Sequence, residues 1–419
     1  MARALVAVPL AFLLSLPAVA ATRMTFDING AATPVEWAPT AFPLRYEIDP
    51  RVTALHPSAA AMVSRAFAVW ASLPEADIRF ESGGVQLASA GRPEGISVSV
   101  VDDLLKGQGA MALTAYMYDN QTGRMVDADI RVDPSLFDGR VNAQLALQHE
   151  VGHTLGLDHS ASLSAVMYPY VGTDGPTELD QDDRIAISTI YPKTDPTLRG
   201  ATLQGRVMGD GGGIFAAQVV AVDERGQPVA TGLTNAAGEF TLLTIPAGRY
   251  RLYAEPLDGP VMVEALQGTW RQASRKHFPT QFYDTPVTVE NGRVYGNLVI
   301  NAAGPVQLNP RTIGFCAPNA HQVSLTSMPV HVKPGQTVKL TIGGDGFTSG
   351  MTHFEVLNPA FKRVSDYEWW GGSVSATYSV ASDATSGTSV ILVKSGNDSA
   401  TLTGALKVYR PPKARAARH

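Results

Sequence analysis

Cysteine is almost absent from this 419-residue sequence, and a strong charge of either sign is absent as well. The single cysteine, Cys316, excludes an intrachain disulfide, so we interpret it as a small buried side chain rather than a link to a second chain. A net charge of −5 gives no indication of a nucleic-acid partner. Beyond the N-terminal stretch no apolar run is long enough to span a membrane. With 45% hydrophobic residues, the chain can nevertheless bury sizeable cores.

The N-terminal stretch "MARALVAVPLAFLLSLPAVAAT" combines a basic residue, Arg3, with a short apolar run and small residues at Ala18 and Ala20. This pattern predicts a secretory signal peptide over residues 1–20, cut after Ala20. A membrane anchor is the weaker interpretation, because the apolar run is short and contains prolines. The sequence therefore predicts a secreted, extracellular protein, with a periplasm as the alternative compartment.

The rest of the chain divides by its patterns into one mixed region and two strand-rich regions. Residues 35–197 contain three amphipathic helix patterns with strand patterns between the first two, which predicts an α+β domain. Beyond it the helix patterns fade, and short strands such as "QVVAVDE" alternate with turn sequences. We therefore predict two all-β sandwiches, over residues 199–302 and 303–410. A short segment, 21–34, and a basic tail, 411–419, complete the chain.

Histidines concentrate in one stretch, "QHEVGHTLGLDHSASLSAVMYPY", which holds three of the nine in the chain. On a helix, His149 and His153 leave the same face one turn apart, and Gly156 allows a sharp turn that brings His159 to the same point. Three neutral imidazoles leave one tetrahedral position of a zinc ion open, as in catalytic zinc sites. Glu150, beside the first histidine, is placed to take a proton from water. The alternative, a chance helix with surface histidines, does not explain the added glycine and third histidine.

The same residues resemble a known family. "HEVGHTLGLDH" fits the HExxHxxGxxH pattern of the metzincins, and Ser160 with "SAVMYPY" resembles the matrixins, or matrix metalloproteinases. The resemblance covers about residues 35–192 and implies a metzincin fold with a twisted mixed sheet and three helices. It implies that Met167 is the Met-turn beneath the metal. It also implies that Pro169 lines the pocket for the substrate side chain that follows the scissile bond.

The resemblance implies a secreted metalloendopeptidase that carries one catalytic Zn²⁺. Zinc would activate water and polarise the peptide carbonyl, while Glu150 would accept the proton and pass it to the leaving amine. The substrate, a protein or peptide, would add to the edge strand "GAMALTAY". The two sandwiches resemble a carboxypeptidase-regulatory-like module and an immunoglobulin-like module. They are candidates for attachment to a surface or a macromolecular substrate.

Two departures from the family pattern are expected to matter. The only cysteine lies far downstream, so a cysteine that blocks the zinc before activation is missing. Thr114 stands where a histidine of the family's structural zinc site is expected, so we predict one zinc rather than two. Asp127, Asp129 and Asp133 are candidate Ca²⁺ ligands, and a solvated strand edge is the other interpretation.

Two other functions compete with the endopeptidase. One is an exported binding or adhesion protein whose protease domain is incidental, and the other is a zinc hydrolase that acts on a non-peptide bond. The intact Glu150 argues against the first, and the similarity of the edge strand and Met-turn to matrixins argues against the second. We also expect the α+β unit to close with its final helix near Tyr191, so that a chain ending near Asp195 folds alone.

Overall fold

The computed structural model describes residues 23–87, 95–173, 177–195, 200–274, 277–302, 304–320 and 322–409. The predicted signal peptide and basic tail lie outside these residues. Three units follow one another along the chain: an N-terminal unit (residues 23–195), a middle sandwich (200–302) and a last sandwich (304–409). In the described part of the chain, no helix is both long and apolar enough to cross a membrane.

The N-terminal unit is built on one five-stranded mixed sheet in the order β4-β3-β5-β7-β6. Four strands run parallel, and β6 pairs antiparallel with β7, which leaves β6 at the edge. A separate hairpin, β1-β2, turns at Asn29 and Gly30, whose positive φ angles of 55° and 80° suit a two-residue hairpin turn. The strands are β1 (Thr25–Ile28), β2 (Ala31–Pro34), β3 (Leu44–Ile48), β4 (Phe80–Val85), β5 (Gly95–Val100), β6 (Ala112–Tyr118) and β7 (Met125–Val132).

Five helices accompany this sheet: α1 (Pro50–Leu55), α2 (Ala59–Ala71), α3 (Leu104–Gln108), α4 (Ala143–Thr154) and α5 (Gln181–Ile190). The three longer ones are the predicted helices. The sequence did not reveal α1 and α3, because six and five residues are too few to show a helical period. In α2, Val63, Phe67 and Trp70 are completely buried, as their spacing predicts. Trp70 donates a hydrogen bond to the backbone of α4, and Phe67 stacks on Tyr46 of β3.

The middle sandwich packs two sheets around a common core. One sheet has the order β11-β10-β13-β14 with β15 beside β13, and the other has the order β12-β8-β16 with β9 beside β8. Leu203, Val219, Phe240, Leu252 and Ile300, drawn from both sheets, are fully buried together. The strands are β8 (Ala201–Gly209), β9 (Gly212–Gly213), β10 (Gln218–Asp223), β11 (Pro228–Leu233), β12 (Glu239–Ile245), β13 (Gly248–Glu255), β14 (Gln281–Phe282), β15 (Val287–Val289) and β16 (Val294–Asn301).

The last sandwich has the same kind of architecture. Its sheets have the orders β17-β19-β23-β21, with β22 beside β23, and β18-β25-β24-β20. Ile313, Leu340, Phe354, Ile391 and Leu406 are buried between them. The strands are β17 (Asn309–Cys316), β18 (Val330–Val332), β19 (Thr337–Asp345), β20 (His353–Val356), β21 (Phe361–Arg363), β22 (Glu368–Trp370), β23 (Ser373–Val380), β24 (Gly387–Ser395) and β25 (Asp398–Val408). Cys316 is half-buried with a free thiol.

The three units share cores, which contradicts the expectation of a self-contained N-terminal unit. Ile185 of α5 belongs to the core of the middle sandwich, and Leu163 and Tyr168 belong to the core of the last sandwich. The buried carboxylate of Asp182 accepts hydrogen bonds from the backbone N–H and the hydroxyl of Thr231, at 2.8 and 2.9 Å. A chain that ends near Asp195 would expose these apolar side chains and leave this carboxylate without the partners from β11.

Candidate metal centre

Helix α4 places the first two histidines and the glutamate between them at the centre of the N-terminal unit. The helix begins at Asn142, whose side chain accepts a hydrogen bond from the backbone N–H of Leu145. From Ala146 to Thr154 every residue is buried, which is unusual for a helix that carries two histidines and a glutamate. His149, Glu150 and His153 are only 5%, 6% and 5% exposed. Polar side chains buried to this extent need partners, and each of them has one.

Gly156 turns the chain immediately after α4. Its φ of +91° disfavours any residue with a side chain, and a Cβ here would lie 2.4 Å from the carbonyl oxygen of Val35. Leu157 and Asp158 follow, and His159 then faces the two helical histidines. The expectation that a glycine turn brings the third imidazole back is met in this geometry.

The three imidazoles form one compact cluster. Their ring centroids are 4.6, 4.9 and 5.1 Å apart, and one nitrogen from each ring lies within 4.8 Å of the others. The Nε2 atoms of His149 and His153 are 3.1 Å apart. Among the described residues, His149, His153 and His159 are the only group of three or more possible ligands with this spacing.

A backbone carbonyl holds the outer nitrogen of each ring. The Nδ1 atoms of His149 and His153 lie 2.8 Å from the carbonyl oxygens of Val166 and Leu157. The Nδ1 atom of His159 lies 2.5 Å from the carbonyl oxygen of Ala265, a residue of the middle sandwich. These carbonyls fix the tautomer with Nδ1 protonated, so that the Nε2 lone pairs point at one another.

Burial also keeps the cluster neutral. It lowers the pKa of His149 to about 3, with the neighbouring His159 as a further cause. The pKa values of His153 and His159 are lowered as well, again mainly by burial. Three neutral imidazoles whose lone pairs converge could together hold a metal ion.

Glu150 lies beside the cluster in contact with the edge strand. The hydroxyl of Thr114, on β6, is 2.7 Å from the Glu150 carboxylate and 3.0 Å from its backbone carbonyl oxygen. Burial raises the pKa of Glu150 to about 7, and the hydrogen bond from Thr114 acts in the opposite direction. The sequence predicted only that Thr114 replaces a histidine of the family's structural zinc site. Its contact with Glu150 was not anticipated.

The loop after His159 is fastened beneath the cluster. Met167 packs so closely on Gly152 of α4 that a Cβ there would lie 2.3 Å from its sulfur atom. The buried carboxylate of Asp183 accepts hydrogen bonds from the backbone N–H groups of Val166 and Met167, at 2.8 and 3.1 Å. Pro169 is half-buried between the buried Tyr168 and the exposed Tyr170. Of the two neighbouring acidic residues of α5, Asp183 therefore fixes this turn and Asp182 fixes the joint with β11.

A long loop of the middle sandwich reaches this site. We call residues 256–274, between β13 and β14, the insert. The backbone N–H of Gln267 donates to the buried carboxylate of Asp158 at 2.9 Å, and its side-chain oxygen accepts from the Tyr116 hydroxyl at 2.6 Å. Together with the Ala265 carbonyl, these contacts tie the insert to the third histidine, to its neighbour and to the end of β6. The only sequence signal for these contacts was the length of the loop between two short strands.

The three candidate calcium ligands do not come together. Asp133 accepts hydrogen bonds from the backbone N–H groups of Leu105 and Ser135, at 2.9 Å each, and so caps a short 3-10 helix. Asp129 accepts from the Ser97 hydroxyl. Burial, followed by repulsion from Asp129, raises the pKa of Asp127 to about 6. These partners account for Asp129 and Asp133 without an ion.

Comparison with known proteins shows which family the N-terminal unit resembles. The family model for matrixins matches residues 36–192. Residues 36–192 form a matrixin domain. Human matrilysin is 38% identical over 84 residues, which span 19% of this chain and 32% of matrilysin. Matrix metalloproteinase-2 of Drosophila melanogaster is 31% identical over 147 residues, 32% of this chain and 18% of that protein.

The chain therefore spans about a third or less of these curated relatives. Among solved structures, a minor pilin of Streptococcus agalactiae is similar over 29% of this chain and 52% of its own, with 15% identity and a TM-score of 0.18. A score this low carries no argument about function or overall fold.

Proposed function

We propose that this chain is a secreted zinc-dependent endopeptidase that hydrolyses internal peptide bonds of extracellular proteins. The observation that carries the proposal is the buried cluster of three neutral imidazoles with a carboxyl group beside it. The likeness of the matrixin domain to metalloproteases supports the same conclusion. Secretion rests on the N-terminal sequence pattern.

The residues present fit a zinc ion. His149, His153 and His159 offer three nitrogen ligands whose lone pairs converge, and each ring is oriented by a carbonyl on its far side. Three nitrogens without a fourth protein ligand are typical of catalytic rather than structural zinc. When bound, the ion would supply Lewis-acid chemistry, polarising a peptide carbonyl and increasing the acidity of water.

Glu150 would act as the general base. Its carboxyl group is buried beside the cluster, and its pKa near 7 suits a group that takes a proton and later releases it at neutral pH. The proton would come from the attacking water and would pass to the leaving amine. Thr114 would position the carboxylate through its hydrogen bond.

The free edge of β6 is a candidate binding site for an extended peptide. No strand of the described residues pairs with that edge, and Thr114 on the same strand contacts the proposed base. A substrate added there as a further strand would run past the histidine cluster. At the far end of β6 the insert contacts Tyr116, so the middle sandwich would form part of the cleft wall.

The last sandwich carries one observation that favours an added binding role. Trp369 and Trp370 follow one another on β22, and they are 37% and 84% exposed. Large exposed aromatic side chains are typical of binding surfaces. We propose attachment to a macromolecular substrate as a role beside catalysis, not in place of it.

The proposed function is tested by incubating the full-length protein with a proteome-derived peptide library. We expect cleavage at internal bonds, its loss with a zinc chelator and its return when zinc is added. Cleavage that persists unchanged after the zinc is removed would contradict the proposal, as would the absence of any cleavage with zinc bound.

A further inference from the structure

A small cavity lies beside the first histidine, between the matrixin domain and the last sandwich, with a volume of about 40 Å³. Leu145 and Val166 line it. Leu145 precedes His149 by one helical turn on the same face, and the Val166 carbonyl accepts from His149 Nδ1. Tyr170 and Val171, which follow Pro169, line it as well. The cavity therefore lies next to the position predicted, at Pro169, for the substrate side chain that follows the scissile bond.

The opposite wall of this cavity comes from the last sandwich and is basic. It includes His331 on β18 and Lys407 on β25, together with Met328 and Pro329. His331 and Lys407 are register partners on parallel strands, so their side chains leave the same face of the sheet. Their apolar neighbours along both strands are buried in the sandwich core. The alternation of a strand therefore directs both basic side chains away from that core and to the cavity.

Hydrogen bonds hold this wall in place. The backbone N–H of Leu163 donates to the carbonyl oxygen of Thr403 at 2.9 Å, and the Tyr168 hydroxyl donates to the carbonyl oxygen of Ser327 at 2.7 Å. Gly404, with a φ of +72°, lies so close to the turn that a Cβ would be 2.6 Å from the Ser162 hydroxyl oxygen. The last sandwich is thus fastened to the loop that carries Met167, on either side of the cavity.

Lys407 supplies a positive charge at the cavity. Lys407 takes part in none of the ion pairs between described residues, and the lining contains no aspartate or glutamate. A carboxylate that entered from the cleft would meet a lysine ammonium in partly buried surroundings. Hydrogen bonds between charged groups are stronger there than at an exposed surface.

We propose that Lys407 makes this enzyme select substrates with glutamate immediately after the scissile bond. This inference rests on the proposed function. A water-sized group needs about 10–15 Å³ of such a cavity, so a volume of about 40 Å³ holds roughly three. That matches the end of a glutamate side chain and is too small for an aromatic ring. Lys407 is thus a specificity-determining residue supplied by a different unit from the one that holds the metal cluster.

The test compares peptides that differ only in the residue after the scissile bond, which is glutamate, glutamine, leucine or phenylalanine. The full-length wild-type protein is compared with Lys407→Gln and Lys407→Glu. Lys394→Gln, on the neighbouring strand and in an ion pair with Glu355, is the matched control. Thermal unfolding of each variant checks that the joint is intact.

We expect wild type and Lys394→Gln to favour glutamate over glutamine by about tenfold or more in kcat/KM. Lys407→Gln should abolish that ratio with a smaller change for leucine peptides, and Lys407→Glu should favour glutamine over glutamate at this position. A wild-type enzyme that cleaves all four peptides equally, or a preference that survives Lys407→Gln, overturns this inference and leaves the proposed function intact. If wild type with zinc cleaves none of them, the proposed function fails and the inference fails with it.

Discussion

Glu150 is the proposed general base, and its surroundings control its protonation. Burial raises its pKa to about 7, and only the ionised carboxylate can accept a proton. The active fraction therefore rises as the pH rises through this region and falls on acidification. A zinc ion bound nearby favours the carboxylate and moves this acid limb to lower pH. We expect kcat/KM to show a single acid limb for this group.

Thr114 sets the position of that limb. Its hydrogen bond lowers the pKa of Glu150, so Thr114→Val should raise that pKa and shift the acid limb of kcat/KM to higher pH. On the acid side the rate should fall by roughly threefold to tenfold, with a smaller change on the plateau. The pH profile of peptide cleavage measures this.

Thr114→Ser is the control for this prediction. It keeps the hydroxyl and should keep the wild-type limb. If the valine and serine variants have the same pH profile, Thr114 has a packing role only.

At the scale of elements, the insert is the part of the middle sandwich that contacts the candidate metal site. Gln267→Pro removes the N–H that donates to Asp158, and Leu266 before it already has the extended backbone that precedes proline, with φ −83° and ψ 169°. Because the insert also holds His159 through Ala265, we expect zinc affinity to fall by roughly 10- to 100-fold. Competition with a chelator of known affinity measures it.

Gln267→Ala separates the two contacts of this residue. It keeps the backbone N–H and loses only the contact with Tyr116, so its zinc affinity should stay near that of wild type. Equal affinities for wild type, the alanine variant and the proline variant would show that the insert does not orient the third histidine.

The sequence predicted the parts of the site that are local in the chain. His149, Glu150, His153 and His159 are joined by one helix and one glycine turn, so their spacing alone implies that they meet. Thr114 is 36 residues from Glu150, and Ala265 is 106 residues from His159. Such contacts depend on how strands and sandwiches pack, which periodicity along the chain does not record.

The helices and strands show the same difference between local features, which the sequence predicted, and long-range contacts, which it did not. The long amphipathic helices and the alternating strands were predictable, because burial of one face leaves a period in the sequence. The shared cores were not, because Leu163, Tyr168 and Ile185 have the ordinary spacing of apolar residues within their own unit. Nothing in that spacing distinguishes a side chain that faces its own sheet from one that faces a neighbour's.

At the scale of the whole molecule, the three units depend on one another, because side chains of the N-terminal unit are buried in the cores of both sandwiches. A chain ending at Asp195 would expose Leu163, Tyr168 and Ile185. Full burial of a leucine or isoleucine side chain contributes about 1.5–3 kcal/mol. It would also lose the Ala265 carbonyl that orients His159. We expect this truncated chain to be aggregated or partly unfolded, to bind zinc weakly and to cleave no peptide.

Circular dichroism, binding of a hydrophobic dye and zinc titration test the truncation. A chain ending at Tyr409 is the control, because it keeps both sandwiches and should behave as wild type. A chain ending at Asp195 that is folded and cleaves peptides at the full-length rate would show that the shared cores are dispensable.

The central claim is that three histidines hold one catalytic zinc ion and that Glu150 moves the proton. The most direct test measures zinc content and turnover of one peptide for wild type and Glu150→Gln. We predict about one zinc per chain in both proteins, because the ligands are unchanged, and a kcat at least about 100-fold lower in the variant. A Glu150→Gln protein that holds its zinc and turns over near the wild-type rate would contradict the account.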